Sequence, residues 1–557
     1  MSTRDPITRL STHEVRNQPP ALEDYDLFTS DPALSEALVR EGAGWATEAC
    51  RAVGRLAGSA EVLRLGHDAN RFPPELRTFD RWGRRIDEVE YHPSYHQLME
   101  LAVSHRLPTI AWTEDRPGGH VAHAAVSYLF GQAEAGVLCP MAMTYAVVPA
   151  LRHQPEVADT WLPRIFAETY DPRFVPAQEK KGVTFGMAMT EKQGGSDVRA
   201  NTTRAKPMGR GGPGEEYLLT GHKWFCSAPM SDAFLTLAQT DKGLSCFLVP
   251  RWRPDGTRNN FFIQRLKDKL GNRSNASSEI EYADTWARMV GEDGRGVSTI
   301  IEMVHHTRLD AAVCPVGMMR QALVQAVHHC THRSAFGKRL IEQPLMRNVL
   351  ADLALEVEAA TMLAMRVARA FDESARGDER AQSFARLATA VTKYWINKRA
   401  PGFVYECLES LGGAGYIEES IMPRLYREAP LNSIWEGSGN VICLDVLRAM
   451  HRDPGCVEAL MDEIAPAVKT EPRVARAADR VRDLLRDPTA LEPRARRLTE
   501  SLALLLEAAL LVQHAPNAIA DAFCASRLAS EGFLAYGTLP EGVDTELLIS
   551  RARPMSA

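Results

Sequence analysis

The chain has 557 residues, 45% of them hydrophobic and 24% charged, with 65 Lys and Arg against 71 Asp and Glu. A net charge of −6 excludes a protein that coats nucleic acid with its whole surface. Length and apolar content exclude disorder throughout and point to several domains.

In chain order, the N-terminus reads Met1-Ser2-Thr3-Arg4-Asp5-Pro6, with Glu14, Glu23 and Asp24 following. It lacks the apolar stretch of a signal peptide, so a cytoplasmic location is expected. Residues 1–182 hold Ala, Leu and Glu at helical spacings, as in 33–53 and 121–136, punctuated by Pro73-Pro74, Pro93, Pro108 and Pro117-Gly118-Gly119. A helical domain is predicted there. Residues 183–290 change texture: 183–189, 216–220, 233–239 and 245–249 are strand-like and Gly or Pro separates them, which predicts a β domain. The run Gly209-Arg210-Gly211-Gly212-Pro213-Gly214 looks like a phosphate loop, but Pro213 and the strand after it make a hairpin turn the better reading.

Residues 291–448 return to long helices, with a helix over 297–310 and apolar residues at three- and four-residue spacing in 316–332 and 345–371, as in a bundle. Residues 449–557 are helical and at first Arg-rich and Pro-interrupted, which predicts a separate C-terminal domain. The longest apolar stretch, 502–512, contains Glu507 and is shorter than the roughly 18 residues a membrane span needs. The ten cysteines are scattered with no C-x-x-C pair, so reduced buried thiols and no metal site are expected.

Four motifs carry the chemistry. In Met189-Thr190-Glu191-Lys192-Gln193-Gly194-Gly195-Ser196-Asp197, a strand ends in hydroxyls and a Gly pair, which can present N–H and O–H donors to a polar ring edge; an ordinary Ser-Asp turn is the alternative. In Gly221-His222-Lys223-Trp224-Phe225-Cys226-Ser227, alternation puts Phe225 and Ser227 on one strand face. Arg333-Ser334-Ala335-Phe336-Gly337 offers a guanidinium for phosphate or, alternatively, for a helix end, with Gly337 able to terminate that helix. The last group joins Gly412-Gly413-Ala414-Gly415 to Trp435-Glu436-Gly437-Ser438-Gly439-Asn440. There Glu436 sits among an aromatic ring and glycines, where desolvation raises a carboxylate toward general-base values.

In this order over residues 90–448, the motifs resemble the acyl-CoA dehydrogenase family of flavoproteins. The resemblance implies a mainly α fold with a β-barrel domain between a helical domain and a helical bundle, here followed by a C-terminal helical domain. It implies FAD held by Met189, Thr190, Gly195, Ser196, Phe225, Ser227, Ser438 and Asn440, with Phe225 where many members have Trp. It further implies that Arg333, Phe336, Gly412 and Gly413 reach a neighbouring subunit's flavin, that Glu436 abstracts an α-proton, and that Arg308 and Trp435 line the acyl-CoA pocket. For Arg308 a helix-end ion pair with Asp310 or Glu302 is the alternative. Glu409 stands where the family leads one to expect Gln, placing a carboxylate near the flavin phosphates.

Within the family, Ser433-Ile434-Trp435-Glu436, Glu418-Glu419-Ser420 and the C-terminal extension are most similar to the branch linked to the response to DNA alkylation. That branch implies a homotetramer, double-stranded DNA binding by the C-terminal part and weak dehydrogenase activity; a metabolic acyl-CoA dehydrogenase with no DNA role is the alternative. Over 469–497 there are nine basic residues against five acidic, and Arg473, Arg476 and Arg480 are spaced to share one helix face. Over 451–557 the count is 13 basic against 16 acidic, so a solvated, salt-bridged helix also explains them.

Overall fold

The computed structural model describes residues 6–486, 491–529 and 534–554. The first region holds α1 (Pro32–Arg40), α2 (Thr47–Ala57), α3 (Ala60–Arg71), α4 (Pro93–Ser104), α5 (Ile110–Thr113), α6 (Gly119–Gly131), α7 (Leu138–Leu151) and α8 (Pro155–Ile165). Starts follow local chemistry: the Asp31 carboxylate accepts the Leu34 N–H while Pro32 opens α1. Every residue of α6 is buried, as a helix apolar on all sides must be. Sequence reading missed the antiparallel ribbon β1 (Glu75–Phe79) and β2 (Arg85–Glu90) in this helical region. It is largely exposed and brings few apolar residues, chiefly Leu76 and Val89, onto the β domain, so it lacks the alternation that marks a half-buried sheet.

The β domain contains β3 (Phe185–Ala188), β4 (Arg204–Pro207), β5 (Glu216–Ser227), β6 (Ala233–Thr240), β7 (Gly243–Pro250), β8 (Phe261–Leu266) and β9 (Ser277–Val290). It closes on itself: β4 bridges β5 and β6, β5 pairs with β9, and β7 pairs with both β9 and β6. Along β6 and β7, Phe234, Ala238, Phe247 and Val249 join one core, while Leu235, Leu237, Cys246 and Leu248 join another shared with α7 and α8. These strands are buried on both faces, which is why they read as continuous apolar runs. The glycine-rich run 209–214 links the antiparallel strands β4 and β5.

α9 (Gly296–His332) is followed by a small hairpin of β10 (Ser334–Ala335) and β11 (Lys338–Arg339), then by α10 (Pro344–Ala375), α11 (Glu379–Ser410), α12 (Met422–Glu428) and α13 (Gly439–Arg452). α9 does not stop near residue 310. It runs through Pro315, whose ring cannot donate to the Ala311 carbonyl, and Asn397 Nδ2 donates to that carbonyl instead at 2.8 Å.

The C-terminal region holds α14 (Gly455–Thr470), α15 (Pro472–Leu485), α16 (Leu491–His514), α17 (Asn517–Phe523) and α18 (Thr545–Ala552). Its buried Leu460, Val481 and Leu505 belong to the same apolar cluster as Leu363 of α10 and Leu129 of α6, so the extension shares a core with the bundle. Its Arg527 lies buried between Asp352 and Glu356 of α10. Among the described residues no helix is long and apolar enough to cross a membrane.

Candidate active site

α11 packs against both α9 and α13, so Arg308, Lys393 and Asp445 meet under the turn that carries Glu436. Arg308 stands in mid-helix and bypasses both partners expected for a helix end. Its Nη1 lies 2.9 Å from Asp445 Oδ2, whereas Asp310 takes His123 and Glu302 takes His153. Arg386 and Arg448 also bond the buried Asp445, which is held below its ordinary value: burial opposes this, but the three guanidiniums outweigh it.

Glu436 has φ +58° and Gly437 φ +107°. Arg308 Nε donates to the Glu436 carbonyl at 3.0 Å, and Lys393 Nζ donates to the Gly437 carbonyl at 2.7 Å. Part of the Glu436 residue reaches solvent, but its Oε2 is sealed from water and has no hydrogen-bond partner. Burial raises the carboxyl pKa, while Arg308, the Thr307 hydroxyl and Lys393 pull it back. Trp435 is partly buried beside it, its indole N–H donating to Asn432 Oδ1 at 2.6 Å.

Sequence reasoning missed Lys393. It is 1% exposed, and burial pushes its ammonium down to about 7 against the pull of Glu436. It also missed a polar cluster around Cys139 and Ser227. The Cys139 thiol is pushed up to about 12 by burial and lies within reach of Asn275 and Ser227, with Glu436 close enough to add to the shift. Ser227 Oγ is 3.2 Å from Ser277 Oγ, which in turn lies 3.2 Å from Lys269 Nζ.

The loop that carries Met189, Thr190, Gly195 and Ser196 meets β5: the Thr190 carbonyl accepts the Trp224 N–H at 2.8 Å, and Asn201 Nδ2 donates to the Met189 carbonyl. The first of these bonds ties the loop to β5. A Cβ on Gly195 would lie 2.4 Å from Thr190 Oγ1, so only glycine leaves that hydroxyl in place. Glu191 anchors the loop from inside: it pairs with Lys223 at 2.8 Å with neither side chain exposed, and accepts from Thr202 and Thr203. Ser196 and Phe225 are exposed, and Lys267 Nζ sits 4.7 Å from the Phe225 ring centre.

The remaining residues lie elsewhere. Arg333 and Phe336 belong to the β10–β11 hairpin, and Gly337 (φ +76°) forms its turn with Phe336 (φ +51°), so the expected helix-ending glycine is a turn glycine. Phe336 is 99% exposed, and Arg333 Nη1 donates to the Asn17 carbonyl at 2.6 Å. Gly412 and Gly413 follow α11, and a Cβ on either would meet nothing within 4 Å. At a rise of about 1.5 Å per residue, Arg333 is about 37 Å along α9 from Arg308, so one chain does not bring these two groups to one point. Ser438 precedes α13, and Asn440 Oδ1 accepts from Arg496 Nε at 2.8 Å. Glu409 is exposed and hydrogen-bonded to Tyr405. Of the basic segment, Arg473 is paired with Glu471 and Asp521, Arg480 reaches the Leu528 carbonyl at 3.4 Å, and Arg476 and Arg480 are exposed.

A helical region, a closed β domain and a helical bundle, with a carboxylate oxygen buried and unpartnered on the turn at Glu436, fit a class of oxidoreductase. Residues 186–285 match the acyl-CoA dehydrogenase middle domain and 294–451 the acyl-CoA dehydrogenase C-terminal domain. The chain belongs to the acyl-CoA dehydrogenase family, whose enzymes depend on FAD. Residues 17–172 match the adaptive response protein AidB N-terminal domain. The chain is 45% identical to the putative acyl-CoA dehydrogenase AidB of Escherichia coli K12 over 540 residues, covering 97% of this chain and 98% of that protein. It is 29% identical to acyl-CoA dehydrogenase family member 11 of Caenorhabditis elegans, over 82% of this chain and 79% of that one. Among solved structures, C. elegans ACDH-11 in complex with C11-CoA superposes with a TM-score of 0.84 at 26% identity, covering 100% of this chain and 96% of that one. Bd2924 in its apo-form gives 0.81 at 28% identity over 89% and 99%.

The residues present suit a flavin. Thr190, Ser196 and Ser227 carry hydroxyl donors, and Phe225 offers an exposed ring two residues before Ser227 on β5.

Proposed function

We propose that the chain dehydrogenates an acyl-CoA between Cα and Cβ, with Glu436 as the base. The observation that carries this reading is the Glu436 Oε2, buried without a hydrogen-bond partner on a turn whose two carbonyls are held by Arg308 and Lys393. A carboxylate raised by burial holds a proton more readily than one in water, while Arg308 and Lys393 keep it ionised enough to accept one. Met189, Thr190, Gly195, Ser196, Phe225 and Ser227 would hold FAD, and FAD, when bound, accepts the hydride from Cβ. Glu436 Oε2 takes the Cα proton, and the Trp435 ring beside it limits water. Arg333, Phe336, Gly412 and Gly413 would meet the flavin of a neighbouring copy in a homotetramer. The C11-CoA held by the C. elegans structure supports a fatty acyl thioester as the substrate class.

The test is anaerobic titration of the FAD-loaded protein with acyl-CoAs of increasing chain length. The flavin is expected to bleach in the parent and to stay oxidised in Glu436→Gln with FAD content unchanged. A parent that bleaches with none of them would defeat the reading.

A second role, association with double-stranded DNA in the response to alkylation damage, is favoured by the exposed Arg476 and Arg480 on α15 and by the similarity to AidB over almost the whole chain.

A further inference from the structure

Glu436 and Gly437 both sit at positive φ, a region that glycine adopts freely and a glutamate does not. Something outside the turn must hold it there. Two cations do so from different helices: Arg308 Nε on α9 binds the Glu436 carbonyl, and Lys393 Nζ on α11 binds the Gly437 carbonyl. Arg308 is itself fixed by Asp445, which Arg386 and Arg448 also grip. Lys393 has no such carboxylate at ion-pair distance among the described residues, and its hydrogen bond is to Gly437.

We propose that Lys393 is a positioning residue for proton abstraction: with Arg308 it clamps two successive carbonyls of the strained turn, and so aims the Glu436 carboxylate at the substrate's Cα. This rests on the reading of Glu436 as the base. A side chain present only to fill space would be apolar, because a buried ammonium costs free energy unless its charge is used. Here the charge has two uses: it binds the Gly437 carbonyl, and it faces the Glu436 carboxyl across the turn.

The titratable and charged groups facing Glu436 are Arg308 of α9, Lys393 of α11 and the Cys139 thiol of α7. Lys398 and Arg308 act on Lys393 in turn. With Cys139 neutral and Arg308 fixed on Asp445, Lys393 is the cation whose removal changes the field at Glu436 without unpairing Asp445.

The test compares FAD-loaded parent, Lys393→Met, Lys393→Arg and Glu436→Gln. Lys393→Met is expected to slow flavin reduction at saturating acyl-CoA by up to about 10²-fold, the scale of a misplaced catalytic group. The half-saturating acyl-CoA concentration should stay near the parent's. The acid limb of the rate should move to higher pH, because one cation fewer favours the protonated carboxyl over the carboxylate, and Lys393→Arg should restore most of the rate.

A second readout needs no turnover. In protein labelled with carbon-13 at glutamate Cδ, the resonance absent from Glu436→Gln should titrate at higher pH in Lys393→Met than in the parent. Parental rate and parental titration in Lys393→Met would overturn the proposal. If Glu436→Gln still reduces the flavin, the base reading falls; if it does not, and Lys393→Met behaves as the parent, only the clamp falls. Should Lys393→Met fail to fold or to hold FAD, Lys393→Gln replaces it under the same criterion: a raised titration supports the clamp and an unchanged one overturns it.

Discussion

Asp372, near the end of α10, accepts the His120 and Val121 N–H groups at 2.8 and 3.1 Å, where α6 begins. Burial raises its pKa to about 6, against those two backbone donors. An aspartate in the unfolded chain titrates near about 3.9, so the folded protein holds this proton more tightly. Stability from Asp372 is therefore full below about pH 4 and is lost as pH rises through about 6. Asp372→Asn removes the titration and keeps an acceptor. The melting temperature of the parent relative to that variant is expected to fall across this window, and parallel curves would show that Asp372 is not the group responsible. At the residue scale, legibility followed local frames. Glu436 stood out because Trp435, Gly437, Ser438 and Gly439 surround it in the sequence itself. Lys393 did not, because Thr392-Lys393-Tyr394 looks like any polar position in a helix, and the carbonyl it serves comes 44 residues later. Glu191 was legible as part of a flavin loop, but not as the buried partner of Lys223, since the ion pair depends on how β5 crosses the loop.

Among elements, α9 shows how a long-range contact overrides a local stop signal. The run His305-His306-Thr307-Arg308-Leu309-Asp310 reads as a helix end because basic side chains are enriched in a helix's last turn. In the structure the carbonyl that Pro315 leaves free is taken by Asn397 of α11, whose amide also donates to the Lys393 carbonyl. The continuity of α9 is what places Arg308 against Glu436. Asn397→Leu is expected to cost about 1–3 kcal/mol, the range for leaving a buried carbonyl unsatisfied. In a Pro315→Ala background residue 315 has an N–H to offer Ala311, so the same change should cost less. A double-mutant cycle of thermal or denaturant stability measures the difference, and full additivity of the two changes would refute the account. The strands of the β domain were more legible than α9, because β6 and β7 are buried on both faces and carry their apolar character in consecutive residues.

At the scale of the molecule, the sequence order of helical, β and helical segments foretold the architecture, whereas the core shared by the C-terminal helices and the bundle was not legible, because it joins residues as far apart as Leu129 and Leu505. That shared core ties any DNA-facing surface on α15 to the flavin-bearing body. The chain's net charge of −6 opposes approach to DNA, so contact must be local and sensitive to salt. Arg473 is already neutralised by Glu471 and Asp521, which leaves Arg476 and Arg480 as the exposed members of the predicted face. Nothing in α15 calls for base readout, so binding to duplex DNA is expected to be independent of sequence. Each phosphate contact contributes about 0.9 to the slope of log affinity against log salt. Changing Arg476 and Arg480 together to Gln should therefore weaken binding and flatten that slope by up to about 1.8. Flavin content should be unchanged, because neither side chain touches the loop at Thr190 or the strand at Ser227. An unaltered slope in the double variant would move the DNA surface away from α15, and a parent with no salt-sensitive binding would remove the DNA role and leave the acyl-CoA dehydrogenase reading to stand alone.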